Sequence, residues 1–237
     1  MHTILVVPCY NEAERLDQAA FTSFMQQHPD TGFLFVDDGS TDDTCTLLQH
    51  LACNGNAAVL TLQENSGKAE AVRQGLLQAF ALYPEAELLG FWDADLAAPL
   101  EESEHFRSFL RKDTLMLMGC RHQRLGCNIQ RRFLRHYLGR IFATAVSIHL
   151  HLPVYDTQCG AKIMNRALIP EIFGRKFVTK WFFDVEILRR CIAKYGRDEV
   201  KNRVTEVTLG TWIDTGKSKI NYFRCISDFI KLLFSKN

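Results

Sequence analysis

Two aspartates that directly follow an apolar run carry the clearest chemical signal in this sequence. Residues 88–92 read Leu-Leu-Gly-Phe-Trp, and Asp93 and Asp95 follow with one alanine, Ala94, between them. On an extended chain, side chains two positions apart point to the same side, so both carboxylates can face one point. A hard divalent cation, Mg²⁺ or Mn²⁺, would relieve their repulsion and usually brings substrate phosphates with it. The alternative is a pair of solvated loop acids.

Charged residues are unevenly distributed although the formal net charge of the 237 residues is only +1. Residues 85–104 contain seven acids and no Lys or Arg, whereas residues 121–140 contain six arginines and no acid. The pattern indicates a cleft with a metal-binding side and an anion-binding side, or two solvated faces of opposite sign. We expect no nucleic-acid partner.

Composition and length favour one large globular domain. The eight cysteines form no C-x-x-C pair, and residues 3–7 already read as a strand, so we expect free thiols in a reducing cytoplasm. No apolar run reaches the roughly 18 residues that a membrane span needs. These features predict a cytoplasmic protein, with the inner face of a membrane as a further place where it could act peripherally.

Four rounds of strand, short turn and helix organise the first half of the chain. The strands are predicted at residues 3–7, 33–36, 57–62 and 88–92. This alternation predicts an α/β fold, a Rossmann-like and mostly parallel sheet with helices on both faces. Ligands of such sheets lie beyond the carboxyl ends of the strands, where Tyr10, Glu12, Asp38 and the two aspartates fall.

The second half alternates less regularly. We predict a strand at residues 115–118, a long helix from about 129 to 150, a loop and strand over 154–165, a helix from 181 to 195 and a strand over 204–212. A final amphipathic helix is predicted from about 219 to 234. The expected organisation is therefore a domain over residues 1–216 followed by an amphipathic segment over residues 217–237.

Two nucleotide-binding signatures are absent from the sequence. No G-x-G-x-x-G follows the first strand, and no glycine has the spacing of a P-loop before a Gly-Lys pair. The chain instead resembles the inverting family 2 glycosyltransferases of GT-A fold. The resemblance rests on four motifs in order at the strand ends: Val7-Pro8-Cys9-Tyr10-Asn11-Glu12, Val36-Asp37-Asp38-Gly39-Ser40-Thr41-Asp42, Asn65 with Gly67-Lys68, and Asp93-Ala94-Asp95-Leu96.

Within that family the sequence is most similar to the branch that glycosylates polyprenyl phosphates, the dolichyl-phosphate glucosyltransferases and mannose synthases. The strings that carry this similarity are Gly119-Cys120-Arg121, Asp156-Thr157-Gln158-Cys159-Gly160-Ala161-Lys162, Phe183-Asp184-Val185-Glu186-Ile187-Leu188 and Gly216-Lys217-Ser218-Lys219. The second and third of these strings favour glucose. The chain departs from the mannose synthases at Ala97, where they have a polar metal ligand, and at Ile213, where they have an arginine.

The resemblance implies a site for a nucleotide sugar. The nucleoside would be held by Pro8, Tyr10, Glu12, Val36 and Asp38. The ribose, the metal and the diphosphate would be held by Asp93, Ala94 and Asp95, with Asp93 and Asp95 as metal ligands. Phosphates would be contacted by Arg121, Lys162 and Lys219, and Lys68 would also belong to the nucleotide-sugar site. From helical spacing we add Arg131 and Arg135 to these phosphate contacts, since residues four apart share a helix face.

These observations predict a metal-dependent inverting hexosyltransferase with UDP-glucose as its first-choice donor and GDP-mannose as the next. A polyprenyl or dolichyl phosphate is the expected acceptor. Asp95 and Arg121 are the expected catalytic residues, joined by Asp184 as a general base if the acceptor is a hydroxyl group, a role that Asp156 could also take. The alternatives are a soluble-acceptor transferase and a non-catalytic protein that binds nucleotide sugars.

A lipid acceptor would have to be met at a bilayer. Residues 217–237 combine an aromatic and aliphatic stripe with several lysines, a composition typical of a helix at a membrane interface. Packing against the protein's own domain and a dimer contact are the alternatives. If the segment is an interfacial helix, its partner is a membrane surface or a membrane-bound protein.

Overall fold

The computed structural model describes residues 2–53, 55–130 and 133–214, without the side chains of residues 133–136 and 138. The strands in chain order are β1 (Thr3–Cys9), β2 (Thr31–Asp37), β3 (Ala57–Thr61), β4 (Leu88–Trp92), β5 (Met116–Cys120), β6 (Asn128–Gln130), β7 (Ala161–Asn165), β8 (Val204–Thr208) and β9 (Thr211–Ile213). The helices are α1 (Gln18–Gln27), α2 (Thr44–Cys53), α3 (Lys68–Leu82), α4 (Glu101–Arg107), α5 (Phe133–Leu150), α6 (Leu168–Phe173), α7 (Phe183–Tyr195) and α8 (Arg197–Arg203).

The chain folds into two compact units. Of the described residues, those up to 96 and residues 161–176 form the first unit, and residues 97–160 and 177–214 form the second. The chain thus leaves the first unit directly after the Asp93-Ala94-Asp95 motif and returns to it with β7.

A sheet with strand order β3-β2-β1-β4-β7 forms the centre of the first unit. β1 pairs in parallel with β2, from Thr3 opposite Thr31 to Cys9 opposite Asp37, and it pairs in parallel with β4 on its other side. β7 runs antiparallel to β4 and places Ala161 opposite Trp92. The predicted parallel α/β arrangement is therefore confirmed for β1 to β4, which all present their carboxyl ends at one edge.

Continuous apolar runs explain why these strands lie in the core. Every residue of β2 is buried, and Phe21 of α1 meets the rings of Phe33 and Phe35 edge-on, with centroids 5.5 and 5.1 Å apart. A strand that is apolar on both faces needs cover on both faces, which the helices between parallel strands provide.

Helix α3 packs against the sheet at Gly75, where no space is left for a side chain. A Cβ atom added at Gly75 would stand 2.5 Å from Cγ1 of Val6 and 2.6 Å from Cγ2 of Val36. Carbon atoms do not approach so closely without displacement, since optimal separations are about 3.5 to 4.0 Å. Gly75 therefore sets the distance between α3 and strands β1 and β2.

Two pairs of parallel strands belong to the second unit. β5 pairs with β8, from Met116 opposite Val204 to Cys120 opposite Thr208, and β6 pairs with β9. The predicted strand over 204–212 is divided at Leu209 and Gly210 into β8 and β9. At the start of β9, the N–H of Thr211 donates to the Glu102 carboxylate at 2.8 Å. The start of the predicted helix at 129 is also wrong, because residues 128–130 extend to pair with β9 and the helix begins at Phe133.

Among the described residues, no helix combines the length and apolarity that crossing a bilayer requires. The predicted amphipathic helix of residues 217–237, and with it Lys219, lies outside the described residues.

Candidate active site

The carboxyl ends of β1, β2 and β4 and the start of α3 surround a pocket in the first unit. It has a volume of about 340 Å³, within the range of small-molecule sites. Its lining residues are Pro8, Cys9, Tyr10, Glu12, Arg15, Asp38, Asn65, Gly67, Lys68, Ala71, Asp93, Ala94 and Asp95. Eight of the predicted donor-site residues are among them, which places the four sequence motifs at one cavity.

The loop after β1 is tied to the loop after β2. Asn11 has a positive φ of 53°, and its side-chain oxygen accepts the N–H of Thr41 at 2.9 Å. The N–H of Glu12 donates to the hydroxyl of Thr44 at 2.8 Å. Tyr10 stays 44% exposed at the pocket, so its ring is accessible to a planar ligand.

Glu12 is an acid whose surroundings disfavour its charge. One carboxylate oxygen pairs with Arg15, whereas the other, Oε2, is buried without a hydrogen-bond partner among the described residues. Burial raises the pKa of Glu12 above its ordinary value; Arg15 opposes the increase, and Asp95 and Asp42 add to it. A hydrogen-bond donor on a ligand, such as a ribose hydroxyl, could donate to Oε2 of Glu12.

Asp38 joins the end of β2 to the start of α3. Its Oδ1 accepts the N–H of Ser66 and its Oδ2 accepts the N–H of Gly67, both at 2.8 Å, and the residue is only 3% exposed. These two bonds fix the orientation of the Asp38 carboxylate at the pocket. Asp38 thus orders the loop at α3 in addition to any role toward the nucleoside.

Asp93 and Asp95 occupy a turn and not an extended segment. β4 ends at Trp92, the N–H of Leu96 donates to the Asp93 carbonyl at 3.2 Å, and Leu96 has a positive φ of 48°. Both aspartates nevertheless line the same pocket. The expectation that both carboxylates lie at one site therefore agrees with the structure, whereas the expected extended backbone is wrong.

Lys68, the first residue of α3, forms an ion pair with Oδ1 of Asp93. The side chains of the two residues are 42% and 36% exposed. The basic residues that line the pocket, Arg15 and Lys68, are thus both paired with an acid of the pocket.

The chemistry of the donor set decides which metal would fit. Within the described part of the chain, no cluster of three or more His, Cys, Asp or Glu side chains could hold a metal ion. A structural zinc site needs about four such ligands, whereas Mg²⁺ is commonly held by one or two carboxylates together with waters and substrate phosphates. Asp93 and Asp95 therefore fit an ion that a diphosphate ligand completes.

Arg121 lies in the second unit at the end of β5, in a buried ion pair. Its Nε and Nη2 donate to the two oxygens of Asp156 at 2.6 and 2.7 Å, and its backbone N–H donates to Oδ2 at 3.0 Å. The guanidinium carbon stands 5.3 Å from the centre of the Trp212 ring. The Asp156 carboxylate is thus engaged twice by one arginine side chain, which argues against Asp156 as a general base.

Glu206 of β8 fixes the segment that carries Asp156. Its carboxylate accepts the N–H of Tyr155 at 2.9 and 2.8 Å and the N–H of Asp156 at 2.6 Å. Asp184 is 5% exposed, the second residue of α7. Arg121, Asp156 and Asp184 are therefore all buried residues of the second unit.

Two predicted donor contacts have side chains buried within the first unit and do not line the pocket. Val36 is 0% exposed in the middle of the sheet, where it faces Gly75 of α3. Lys162 is also 0% exposed, and its Nζ lies 5.2 Å from the centre of the Phe91 ring. Arg131 lies outside the described residues, as does the side chain of Arg135.

Arg15, Cys9 and Ala71 line the pocket but were not identified from the sequence as site residues. Arg15 had a detectable signal, since it follows Glu12 by three residues and a basic residue at that distance can turn back to an acid. Asn65 and Gly67 belonged to a motif, and the structure adds them to the lining.

The family of the chain follows from its sequence as a whole. Residues 4–173 match the model described as Glycosyl transferase family 2. The chain belongs to this family. Among curated family relatives, a dolichyl-phosphate β-glucosyltransferase of Trichomonas vaginalis is 29% identical over 98% of this chain and 68% of its own length. The enzymes of the same name from Drosophila melanogaster and Saccharomyces cerevisiae are 30% and 32% identical, over 92% and 80% of this chain and 69% and 62% of their own lengths.

Solved structures agree on the fold. Glucosyl-3-phosphoglycerate synthase from Mycobacterium tuberculosis, in complex with Mn²⁺, UDP-glucose and phosphoglyceric acid, matches with a TM-score of 0.69 at 15% identity, over 99% of this chain and 80% of that one. The same synthase with Mn²⁺ and UDP-glucose matches with a TM-score of 0.65 at 18% identity, over 92% and 72% of the two chains. This family 2 chain therefore has the GT-A fold.

Proposed function

We propose that this chain transfers a glucosyl unit, with inversion, from UDP-glucose to the phosphate of a dolichyl or other polyprenyl phosphate. The observation that carries the proposal is the acidic pocket at the strand ends, where Glu12, Asp38, Asp93 and Asp95 meet Lys68. The names of the family relatives supply the acceptor and the sugar. A nucleotide sugar is the donor class that such a pocket suits.

The proposed donor contacts divide the pocket into two parts. The nucleoside lies against Pro8, Tyr10, Glu12 and Asp38, where Tyr10 offers a ring face and the two acids accept hydrogen bonds from uracil and ribose. Val36 contributes to this part by holding α3 against the sheet, since its side chain is buried. The diphosphate lies near Asp93, Ala94 and Asp95.

The reaction needs little acid–base chemistry when the acceptor is a phosphate. A phosphate monoester has a second pKa of about 6 and is mostly a dianion near neutral pH. One of its oxygens forms the new bond to the anomeric carbon as the bond from that carbon to the diphosphate breaks on the opposite face. The electron pair leaves with UDP, and no proton has to be removed.

Cationic groups supply most of the proposed stabilisation. Mg²⁺ or Mn²⁺ held by Asp93 and Asp95 would offset the charge that develops on the leaving diphosphate. Arg121, which Asp156 and Glu206 hold in place, is proposed to stabilise phosphate charge. Lys219 is proposed to contact phosphates as well, whereas the buried Lys162 is not. Arg131 and Arg135 are the proposed contacts of the acceptor phosphate. Asp184 would act as a base only toward a hydroxyl acceptor.

A lipid acceptor also implies a membrane surface, and residues 217–237 are the proposed element that meets it. The basic and aromatic composition of that segment suits an anionic interface.

A screen of nucleotide sugars with a short polyprenyl phosphate tests the proposal. With UDP-glucose and Mg²⁺, we expect release of UDP together with labelled glucose in an organic-extractable product, and loss of both in EDTA. Transfer to a water-soluble acceptor alone, without an extractable product, would instead indicate a soluble-acceptor transferase. Nucleotide binding without turnover of any sugar would contradict the enzymatic proposal.

A further inference from the structure

A lysine amine pairs with one of the two carboxylates proposed to bind the metal. The ammonium group of Lys68 pairs with Oδ1 of Asp93, and both side chains line the pocket with Asp95. A positive charge therefore already stands at the place where a divalent cation would be bound. The inference that follows rests on the metal-dependent donor site of the proposed function.

The backbone that carries Lys68 is held firmly in place. The N–H groups of Ser66 and Gly67 both donate to Asp38 at 2.8 Å, and Gly67 has a φ of 90°, a conformation that other residues rarely adopt. At Gly75, α3 is pressed against the sheet too tightly for a Cβ atom. The position of the Lys68 Cα is therefore fixed relative to Asp93.

The side chain of Lys68 has more freedom than its backbone. It is 42% exposed, and it carries its ammonium group on a flexible four-carbon stem. Exposed ion pairs contribute little to stability, because solvent screens them and because two side chains lose freedom in forming them. Lys68 can therefore change its partner at a small cost.

A divalent cation at Asp93 and Asp95 would compete with this ion pair. The cation needs Asp93 oxygens as ligands, and two positive groups at one carboxylate repel each other at short range. A nucleoside diphosphate changes the balance, because its oxygens bring negative charge for both the metal and the displaced ammonium. Metal binding without nucleotide should thus be weaker than metal binding with nucleotide.

We propose that Lys68 occupies Asp93 in place of the metal in the free protein, and moves to the donor diphosphate when metal and nucleotide bind. Lys68 thereby makes metal binding depend on the nucleotide. Coupling of this kind is reciprocal, so the metal must strengthen nucleotide binding by the same factor.

The variant Lys68→Met tests this assignment through binding alone. The affinity for Mn²⁺ is measured by electron paramagnetic resonance or calorimetry without nucleotide, and the affinity for UDP is measured at saturating Mn²⁺. We expect Lys68→Met to bind Mn²⁺ alone about fivefold more tightly and UDP about fivefold more weakly, a factor typical of an exposed ion pair. Lys68→Arg, which keeps the charge, should bind both much as the unaltered protein does.

Three controls make the result specific. Lys112→Met removes an exposed lysine of the second unit, outside the pocket lining, and should change neither affinity. Lys68→Gln repeats the test with a polar side chain. Asp95→Asn should abolish the measured Mn²⁺ binding and so assigns that binding to the pocket.

The two expected shifts have opposite signs, and this distinguishes the proposal from a general loss of structure. The proposal is wrong if Lys68→Met and Lys68→Gln lower the affinities for both Mn²⁺ and UDP. It is also wrong if they leave the affinity for Mn²⁺ in the absence of nucleotide unchanged. Neither affinity involves a sugar or an acceptor, so a failure of glucosyl transfer to polyprenyl phosphate would leave the expected shifts intact. Absence of Mn²⁺ binding by the unaltered protein even at saturating UDP would overturn both the inference and the metal-dependent function.

Discussion

Two ion pairs, one in each unit, join an acid to a base in opposite ways. The side chains of Lys68 and Asp93 are 42% and 36% exposed, whereas those of Arg121 and Asp156 are 8% and 9% exposed. The first pair joins a flexible amine to one carboxylate oxygen, and the second joins a planar guanidinium to both oxygens. The Lys68–Asp93 pair is therefore suited to a change of partner, and the Arg121–Asp156 pair to a fixed structural contact.

The difference follows from the cost of desolvation. A buried charge that loses its partner cannot recover its hydration, so the remaining partner destabilises the fold. An exposed charge recovers water at once. A site that must release one ligand and accept another accordingly uses the exposed kind of pair, and a scaffold that must hold an arginine in one orientation uses the buried kind.

The largest expected effect comes from breaking the buried pair. Asp156→Asn keeps the shape of the side chain but leaves Arg121 without a counter-charge, and it should lower the unfolding free energy by about 3 kcal/mol. Urea unfolding followed by circular dichroism measures this loss. The matched variant Asp113→Asn removes an acid from an exposed pair with Arg111, 3.8 Å apart, and should cost less than about 0.5 kcal/mol. Equal losses in the two variants would remove the distinction between buried and exposed pairs.

The next effect concerns activity and not stability. Asp95→Asn, in the same turn as Asp93, removes one charge from the proposed metal site and should lower turnover at least about a hundredfold, about 2.7 kcal/mol in the barrier. The glucosyl-transfer assay measures it, with Asp113→Asn as the control of unaltered turnover. Near-normal activity of Asp95→Asn would contradict the metal site. The Lys68–Asp93 pair would then have no metal ion with which to exchange.

The smallest effect tests an intermediate case, the pair of Glu70 and Arg73 on α3. Nε and Nη2 of Arg73 donate to the two carboxylate oxygens of Glu70, each at 2.8 Å, and Nη1 donates to the carbonyl of Phe173 at 3.2 Å. The hydrogen bonds from Arg73 lower the pKa of Glu70 below its ordinary value. A lowered folded-state pKa gives stability that is present above the ordinary pKa and lost as the pH falls through the folded-state pKa.

Glu70→Gln should therefore cost about 1 kcal/mol in unfolding free energy at pH 7. The difference from the unaltered protein should shrink as the pH falls through the folded-state pKa of Glu70, because below it both versions carry a neutral side chain. Thermal or urea unfolding at several pH values measures this. A difference that stays constant with pH would show that the charge of Glu70 contributes nothing.

The sequence predicted the first unit well because its signals are local. Strands β1 to β4 are mainly apolar runs, and each pocket motif lies at the carboxyl end of a strand or in the short loop after it, so parallel pairing brings the motifs to one edge. The resemblance to family 2 glycosyltransferases, which the family match confirms, added the roles expected of those motifs.

The contacts that the sequence did not predict join residues that are far apart in the chain. Arg121 and Asp156 are 35 positions apart, and Tyr155 and Glu206 are 51 apart. No periodicity or spacing rule links such residues, because their proximity depends on how β5 and β8 pair. The burial of Val36 and Lys162 was missed for a related reason, since a motif identifies a residue but not the direction of its side chain.

The close packing at Gly75 has a consequence for how the pocket can be altered from a distance. Gly75 lies seven residues after Lys68, about 10 Å along the helix axis, and it does not line the pocket. A single added methyl group there would have to push α3 away from Val6 and Val36 and would carry the amine at its first turn along with it. Sequence change behind the sheet can thus retune donor affinity while every residue of the pocket stays the same, so a conserved pocket does not by itself imply a conserved donor preference.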